Sequence, residues 1–220
     1  MALRRYRRLG FGSADGERRV NNVRLAAVEG TLVPIADEIR SYICMHGVTH
    51  VAAIPQAGGA ANGRYFGTDC EAGLAFALAT NRDRHNVYFT ANAPKPDCGH
   101  KPSKLQFDWL RCAFVDIDPP RDGGAFDKAL AIELVRADCP RVLIDSGNGI
   151  QALWYFAEQL VATSENIAAV ETLNKAIVAK FGGDRSRTNI DSLLRLPGTV
   201  NWPNARKRAR GYVPCMAHVL

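Results

Sequence analysis

The stretch Ala113-Phe114-Val115-Asp116-Ile117-Asp118-Pro119-Pro120 indicates a short β-strand that two prolines end at once. Ala113, Val115 and Ile117 alternate with Phe114, Asp116 and Asp118. This alternation predicts that both carboxylates lie on the same side of the strand. Residues two apart are about 6 to 7 Å apart along a strand, near enough to share divalent metal ions. The alternative is a strand end with solvated acids, and this motif alone leaves both interpretations open.

The composition is that of a folded, moderately basic protein. A chain of 220 residues suffices for one domain with a real core, or for two small lobes that share a cleft. Because 47% of the residues are hydrophobic and 23% are charged, we expect the chain to fold. Lys and Arg outnumber Asp and Glu by 28 to 22, a bias towards polyanionic partners such as nucleic acid or nucleotide phosphates.

No segment of the sequence indicates a membrane or a disulfide-rich protein. Uninterrupted apolar runs stay far below the ~18 residues of a membrane span, and the Arg-rich N-terminus lacks the apolar core of a secretory signal. We therefore expect a cytoplasmic protein without a membrane partner. The six cysteines form no CxxC pair, and Cys98, His100 and Cys112 match the spacing of a structural zinc site poorly.

Hydrophobic periodicity predicts helices and strands without a regular βαβ rhythm, which favours an α+β fold with a mixed sheet over a doubly wound fold. Residues 1–24, rich in Arg, are predicted to be a basic flexible arm, and 25–220 the folded domain. The predicted helices cover 31–45, 70–81, 126–138 and 165–181. The predicted strands cover 50–55, 64–67, 86–91, 113–118, 141–145 and 150–156, with a loop at 92–107.

A second informative stretch is Ser146-Gly147-Asn148-Gly149-Ile150-Gln151, a Gly-rich turn between two predicted strands. Its glycines allow backbone N–H groups to approach an anion, while Ser146 and Gln151 add side-chain donors, so the turn could cradle a triphosphate. It is not a Walker loop, because no Gly-Lys-Ser/Thr opens a following helix. The alternative is a plain hairpin turn, for which Asn-Gly is common chemistry.

The third stretch runs from Asp191 through Arg195-Leu196-Pro197-Gly198-Thr199-Val200-Asn201. Asp191 is a third carboxylate and Arg195 a planar fork suited to phosphate, and the Pro-Gly turn could hold both towards one cleft. Asn201 could hydrogen-bond a sugar or a base. A capped turn with a surface salt bridge is the alternative.

Taken in order, the three stretches resemble the three motifs of the archaeo-eukaryotic primase superfamily. The likeness is greatest to primase-polymerase domains of phages, plasmids and other mobile elements, including RepB-like plasmid primases. It covers about 86–210, including the Lys-Pro-Ser-Lys segment at 101–104. The resemblance implies a two-lobed α+β fold, in which an RRM-like mixed sheet within 108–220 carries the motifs beside a smaller α/β part within 25–107.

The resemblance also implies template-directed nucleotidyl transfer from NTP or dNTP to a 3′-hydroxyl, with two Mg²⁺ or Mn²⁺ ions. The partners would be a single-stranded or primed DNA template and a replicative helicase, fused or separate. The implied catalytic metal ligands are Asp116, Asp118 and Asp191. The implied nucleotide contacts are Ser146, Gly147, Gly149, Gln151, Arg195, Asn201, Lys101 and Lys104. The basic run Arg206, Lys207, Arg208 and Arg210 would contact nucleic acid, with a solvated basic segment as the alternative.

One residue departs from the family pattern. The second motif of the family usually ends in His, whereas here it ends in Gln151, which carries no charge and cannot shuttle a proton. Two other functions stay open. Three carboxylates with two metals also suit a metal-dependent nuclease, and the same fold could serve as a catalytically silent protein that binds single-stranded DNA or a replication origin.

Overall fold

A computed structural model describes residues 32–96, 98–120 and 124–220. The predicted basic arm, residues 1–24, lies outside the described residues. Within these ranges, every helix is too short or too polar to cross a membrane.

The described residues form five α-helices and eleven β-strands. The helices are α1 (Ala36–Met45), α2 (Cys70–Arg82), α3 (Lys128–Arg136), α4 (Ser164–Phe181) and α5 (Ala205–Ala209), with a 3₁₀ turn at Lys104–Gln106. The strands are β1 (His50–Pro55), β2 (Asn62–Tyr65), β3 (His85–Thr90), β4 (Ala93–Pro94), β5 (Phe107–Ile117), β6 (Val142–Asp145), β7 (Ile150–Val161), β8 (Leu193–Arg195), β9 (Val200–Asn201), β10 (Cys215–Met216) and β11 (His218–Val219).

Two antiparallel sheets organise the fold. One has the strand order β2-β1-β3-β8 and the other β11-β6-β7-β5-β4, while β9 and β10 form a short separate ladder. Strand β8 comes from the C-terminal part of the chain but pairs with β3, so that Tyr88 lies opposite Arg195. Strand β4 likewise pairs with β5, so the predicted parts 25–107 and 108–220 are joined through both sheets. This arrangement of helices and sheets confirms the predicted α+β class. The predicted mixed sheet is corrected, because all the described strand pairs are antiparallel.

Strand β5 is the central layer of the molecule. Phe114 packs into the core between the two sheets, together with residues of α1 and α2. Val115 and Ile117 point to the other side and pack under α3 and α4. Because both faces are covered, the strand lacks a polar face. The alternation of polar and apolar residues therefore does not indicate that the strand begins at Phe107. The predicted strand at 113–118 was consequently too short at its N-terminal end, and the predicted loop at 92–107 contains β4.

Helix ends follow the capping signals of the sequence. The Asp69 carboxylate accepts a hydrogen bond from the Ala72 N–H at 2.9 Å, which starts α2 where the sequence predicted it. Gly182 ends α4 at a φ of 75°, a left-handed conformation that glycine adopts without strain. Helix α1 begins at Ala36 rather than at 31, since a residue that precedes a proline, here Val33 before Pro34, disfavours helical geometry.

Candidate active site

Asp116 lies near the end of β5, directly opposite Gln151 in β7. Gln151 donates from Nε2 to Asp116 Oδ1 at 3.0 Å, and its Oε1 accepts from the backbone N–H of Arg195 at 2.9 Å. Arg195 belongs to β8 of the other sheet, so Gln151 bridges the two sheets beside the carboxylate. Both polar atoms of this buried side chain have protein partners, so Gln151 connects Asp116 to β8, and its predicted contact with the nucleotide stays a prediction.

The environment of Asp116 disfavours its charged form. Burial and, after it, the charge of Asp118 raise the pKa of Asp116 to about 7, against the hydrogen bond from Gln151 and the charge of Arg187. Asp118 follows the last residue of β5 and is exposed. Carboxylate oxygens are the ligands that Mg²⁺ and Mn²⁺ prefer, and a cation would relieve the repulsion between the two acids. Asp116 and Asp118 therefore fit a divalent metal.

The Gly-rich turn is the connection of the β6–β7 hairpin, and it lies against the end of β5. Its ends are joined by the Ser146 N–H, which donates to the Gly149 carbonyl at 3.0 Å. A Cβ atom on Gly149 would lie 2.2 Å from the Ile117 carbonyl oxygen and 2.9 Å from Asp118 Oδ1. The predicted hairpin turn is therefore present, and Gly149 allows it to pack next to Asp116 and Asp118.

Alanine at Gly149 is expected to destabilise the protein by about 1–3 kcal/mol, because the added methyl group overlaps the backbone of β5. For a chain of this size this corresponds to a melting temperature roughly 2–12 °C lower, measured by thermal unfolding. Gly99→Ala is the matched control, since a Cβ there would meet no atom within 4 Å and its φ is not left-handed. Equal melting temperatures for the two variants would contradict this packing.

Two side chains near the Gly-rich turn have roles that the sequence did not predict. Lys128, the first residue of α3, donates to the Asp145 carboxylate and, at 3.0 Å, to the Gly147 carbonyl oxygen, so it holds the turn from outside any motif. Asn148 Nδ2 is buried and has no hydrogen-bond partner within the described part of the chain. A buried donor without a partner is costly, and an anion held in the turn would satisfy it.

Arg195 is a buried guanidinium surrounded by neutral oxygens. It donates to Asn86 Oδ1 at 2.8 Å, to the Tyr88 hydroxyl at 3.0 Å and to Asn201 Oδ1 at 3.1 Å, and it stacks on the Tyr88 ring at 4.3 Å. None of these partners carries a negative charge, so the positive charge stays available to an anion. Asn201 also donates to the Ser146 carbonyl oxygen at 2.9 Å, which connects Arg195 to the Gly-rich turn.

The predicted residues Asp191, Lys101 and Lys104 lie in ion pairs instead. Lys101 Nζ is 3.0 Å from the Asp191 carboxylate, and Lys104 Nζ is 2.8 Å from that of Glu171 on α4. These pairs fasten the 92–107 segment to its neighbours, and the described contacts do not bring the three side chains to Asp116. Their predicted roles in metal and nucleotide binding stay predictions.

Asp184 is the acid that sequence reasoning missed. Its backbone N–H donates to the Asp116 carbonyl oxygen at 2.7 Å, and its charge contributes to the raised pKa of Asp116, after burial and Asp118. A Cβ on Gly183 would lie 2.9 Å from the Asp116 carbonyl oxygen, so only glycine lets this segment pack so closely on β5. The signal in the sequence was Gly182-Gly183-Asp184, a helix end followed directly by an acid.

Metal binding would rest on few protein ligands. The described ranges contain no group of three or more Asp, Glu, His or Cys side chains that could hold a metal ion, and Cys98, His100 and Cys112 form no such group. Mg²⁺ in nucleotide-handling sites commonly uses one or two carboxylates, with phosphate oxygens and water completing its coordination. Asp116 and Asp118 match that pattern.

The predicted nucleic-acid contacts lie on and after the short helix α5. Asn204 caps this helix, and Arg206, Arg208 and Arg210 are exposed. Lys207 and Arg210 approach the ring of Tyr212 at 6.0 and 5.3 Å. The run is thus ordered around one aromatic ring, and its side chains are accessible to a phosphate backbone.

Comparison with known proteins gives one family and three related structures. The family model of the RepB DNA-primase N-terminal domain matches residues 128–218. The crystal structure of primase RepB′ superposes with a TM-score of 0.58 at 12% identity, covering 84% of this chain and 55% of that one. The chain thus spans about half the length of that primase. No curated protein sequence matches at a significant level.

Two further structures share the fold. The archaeo-eukaryotic primase domain of the primase-polymerase from cyanophage S-2L has a TM-score of 0.57 at 16% identity, covering 86% of this chain and 91% of that one. The catalytic domain of primase RepB′ in complex with initiator DNA has a TM-score of 0.55 at 13% identity, with 82% of each chain covered. The family-model match over residues 128–218 and the shared fold confirm the predicted resemblance to RepB-like archaeo-eukaryotic primases.

Proposed function

We propose that this chain, which resembles the RepB-like primases of the archaeo-eukaryotic primase superfamily in sequence and in fold, transfers nucleotidyl groups from NTP or dNTP to a 3′-hydroxyl on a DNA template. The observation that carries the proposal is the buried acid Asp116 with Asp118 beside it, directly against the Gly-rich turn. The proposed setting is cytoplasmic replication of a phage, a plasmid or another mobile element.

Asp116 and Asp118 would hold Mg²⁺ or Mn²⁺, with Asp184 adding negative potential from the neighbouring segment. Two such ions, when bound, lower the pKa of an attacking hydroxyl and stabilise a leaving pyrophosphate. Gln151 would keep Asp116 in place from β7. Because an amide cannot take up a proton at neutral pH, Gln151 would contribute position and not proton transfer.

The triphosphate would lie between the Gly-rich turn and Arg195. Within the turn, the N–H groups of Ser146, Gly147 and Gly149 already donate to protein oxygens, so the turn offers the unsatisfied Nδ2 of Asn148. Arg195 offers a charge without a carboxylate partner. Asn201 ties these two elements together through the Ser146 carbonyl. Preorganised donors of this kind stabilise charge without reorganisation during the reaction.

The DNA strand would follow the basic run Arg206, Lys207, Arg208 and Arg210, of which the three arginines are exposed and Lys207 is partly buried. Affinity gained from phosphate contacts falls steeply as salt concentration rises, so we expect salt-sensitive template binding. A replicative helicase, fused to the chain or separate from it, is part of the proposal as a partner.

The deciding experiment incubates the protein with a primed or unprimed single-stranded template, a mixture of NTPs or dNTPs, and Mn²⁺. Extension of the strand with release of pyrophosphate is the expected result. Cleavage of the template without extension would favour a metal-dependent nuclease. Template binding with neither reaction would favour a catalytically silent replication protein, and either of these outcomes would reject the proposed activity.

A further inference from the structure

A second concave site lies at the end of β6 that is remote from the Gly-rich turn. It is a cavity of about 520 Å³ between the C-terminal ends of α1 and α3, the start of β6 and residues 219–220. The Gly-rich turn follows Asp145, three residues further along the strand than Val142 on the cavity wall. At about 3.3 Å per residue, roughly 10 Å of strand separates the two sites.

The lining of this cavity is cationic. Its charge comes from Arg136 and Arg141, it also includes the neutral ring of His46, and it includes no Asp or Glu. Across the ranges that the structure describes, neither arginine forms an ion pair or a side-chain hydrogen bond with the protein, whereas Lys180, near the end of α4, pairs with Asp138. Two guanidinium groups are thus left with their donors directed to solvent or to a ligand.

The helix dipole of α3 explains the position of Arg136, but it does not explain why Arg141 lies in the same cavity. A cation in the last turn of a helix is stabilised by the helix dipole, typically by about 0.3–1 kcal/mol, and Arg136 is the last residue of α3. Arg141 follows the helix and gains nothing comparable from it. The negative end of the helix dipole would also repel an anion, so the two arginines must supply the attraction.

The histidine of the cavity is held in place by aromatic rings. His46 lies 4.6 Å from Tyr42 and 6.1 Å from Tyr155, measured between ring centroids. Burial, and after it the charges of Arg141 and Arg111, lowers the pKa of His46, so the ring is neutral at pH 7 and can donate or accept one hydrogen bond on each side.

Backbone geometry marks the same loop. Cys139, on the cavity wall, has a φ of 51°, in the left-handed region that residues other than glycine rarely occupy. Such conformations cost of order 1–3 kcal/mol and concentrate at binding sites. Pro140 follows and stiffens the connection, so that Arg141 leaves the loop at a fixed point.

We propose that this cavity binds a phosphate group of a nucleotide or of a nucleic-acid strand, with Arg136 and Arg141 as the charged contacts. A guanidinium presents a planar fork that matches phosphate oxygens, and the apolar wall of Met45, Pro140 and Val219 suits the sugar or base attached to the phosphate. The site is separate from the candidate active site, and the proposal holds whether or not the chain carries out nucleotidyl transfer.

The test compares Arg136→Ala/Arg141→Ala with the control Arg82→Ala/Lys175→Ala, which removes the same charge from exposed positions outside the cavity. Fluorescence anisotropy of an unphosphorylated single-stranded oligonucleotide is measured without metal over a range of salt concentrations. Each neutralised phosphate contributes about 0.7 to the salt slope for a single strand, so the cavity variant, which loses one phosphate site, is expected to lose about 0.7 and the control close to none. Arg136→Lys/Arg141→Lys keeps the charge and should fall between wild type and the alanine variant.

A second arm separates the two sources of phosphate. Calorimetric titration with inorganic pyrophosphate, again without metal, measures binding of a free phosphate group to the same variants. Loss of pyrophosphate binding with an unchanged oligonucleotide slope supports a site for free or terminal phosphate, while the reverse supports a site for the strand backbone. If the alanine variant binds both probes as the wild type does, the proposal is overturned.

Discussion

Replacing Asp116 and Asp118 together with asparagine is expected to lower the rate of nucleotide incorporation by roughly a thousand-fold or more, a loss of about 4 kcal/mol of transition-state stabilisation. The substitution removes both negative charges that would hold the metal, yet it keeps the oxygen that accepts the Gln151 hydrogen bond. DNA binding should change by less than about two-fold, because the basic run at 206–210 is untouched. Primer extension and fluorescence anisotropy measure the two effects.

The stability of this variant provides a second readout. In metal-free buffer we expect a melting temperature at or above that of the wild type, because two neighbouring like charges, one of them buried, have been removed. Millimolar Mn²⁺ should raise the melting temperature of the wild type and not that of the variant, by the linkage between binding and folding. Extension at the wild-type rate would show that the chemistry lies elsewhere.

Two single substitutions test whether Asp184 or Asp191 is the third acidic residue that acts with Asp116 and Asp118. Asp184→Asn is expected to reduce extension strongly, because this carboxylate acts on Asp116. Asp191→Asn breaks a partly exposed ion pair with Lys101 and is expected to be mild, since such pairs contribute little. The opposite order of effects would return the role of third acid to Asp191, as the sequence motif alone suggested.

The sequence predicted secondary structure best where an element has clear signals at its ends. Helix α2 begins after Asp69 and β1 spans His50–Pro55, both as expected from capping and from apolar runs. It failed on β5, whose burial on both faces removes the alternation that marks a strand's extent. It predicted loop and short strand after α4 but did not place β8 and β9, which are three and two residues long and exist because β3 and β10 supply their partners.

The sequence predicted the site residues that lie within short motifs on neighbouring strands. Asp116, Asp118, Ser146 and Gly149 meet because β5, β6 and β7 are adjacent in one sheet. Lys128 and Asp184 could not be selected in the same way, because their proximity arises from how α3 and the end of α4 pack across that sheet. Conversely, Lys101 and Lys104 carry the expected charge, but tertiary contacts commit them to Asp191 and Glu171.

Gln151→Glu is expected to destabilise the protein by about 1–3 kcal/mol and to lower extension roughly 100-fold. The change replaces an N–H donor by a second oxygen 3.0 Å from Asp116 Oδ1, inside a buried site that already contains one unfavourable acid. The oxygen that accepts from the Arg195 N–H is kept, so the experiment isolates the contact with Asp116. Thermal unfolding should show a decrease of roughly 2–12 °C, and primer extension measures the rate.

The same substitution at Gln159 is the matched control, because this residue lies on the same strand and is exposed. Gln159→Glu should leave both stability and extension unchanged. Gln151→His introduces the residue that the family motif usually has, and a ring nitrogen can still donate to Asp116, so its loss of extension should be smaller than that of Gln151→Glu. If Gln151→Glu instead matches the wild type in both measurements, the amide does not position Asp116, and a direct contact of residue 151 with the triphosphate becomes the better account of the second motif.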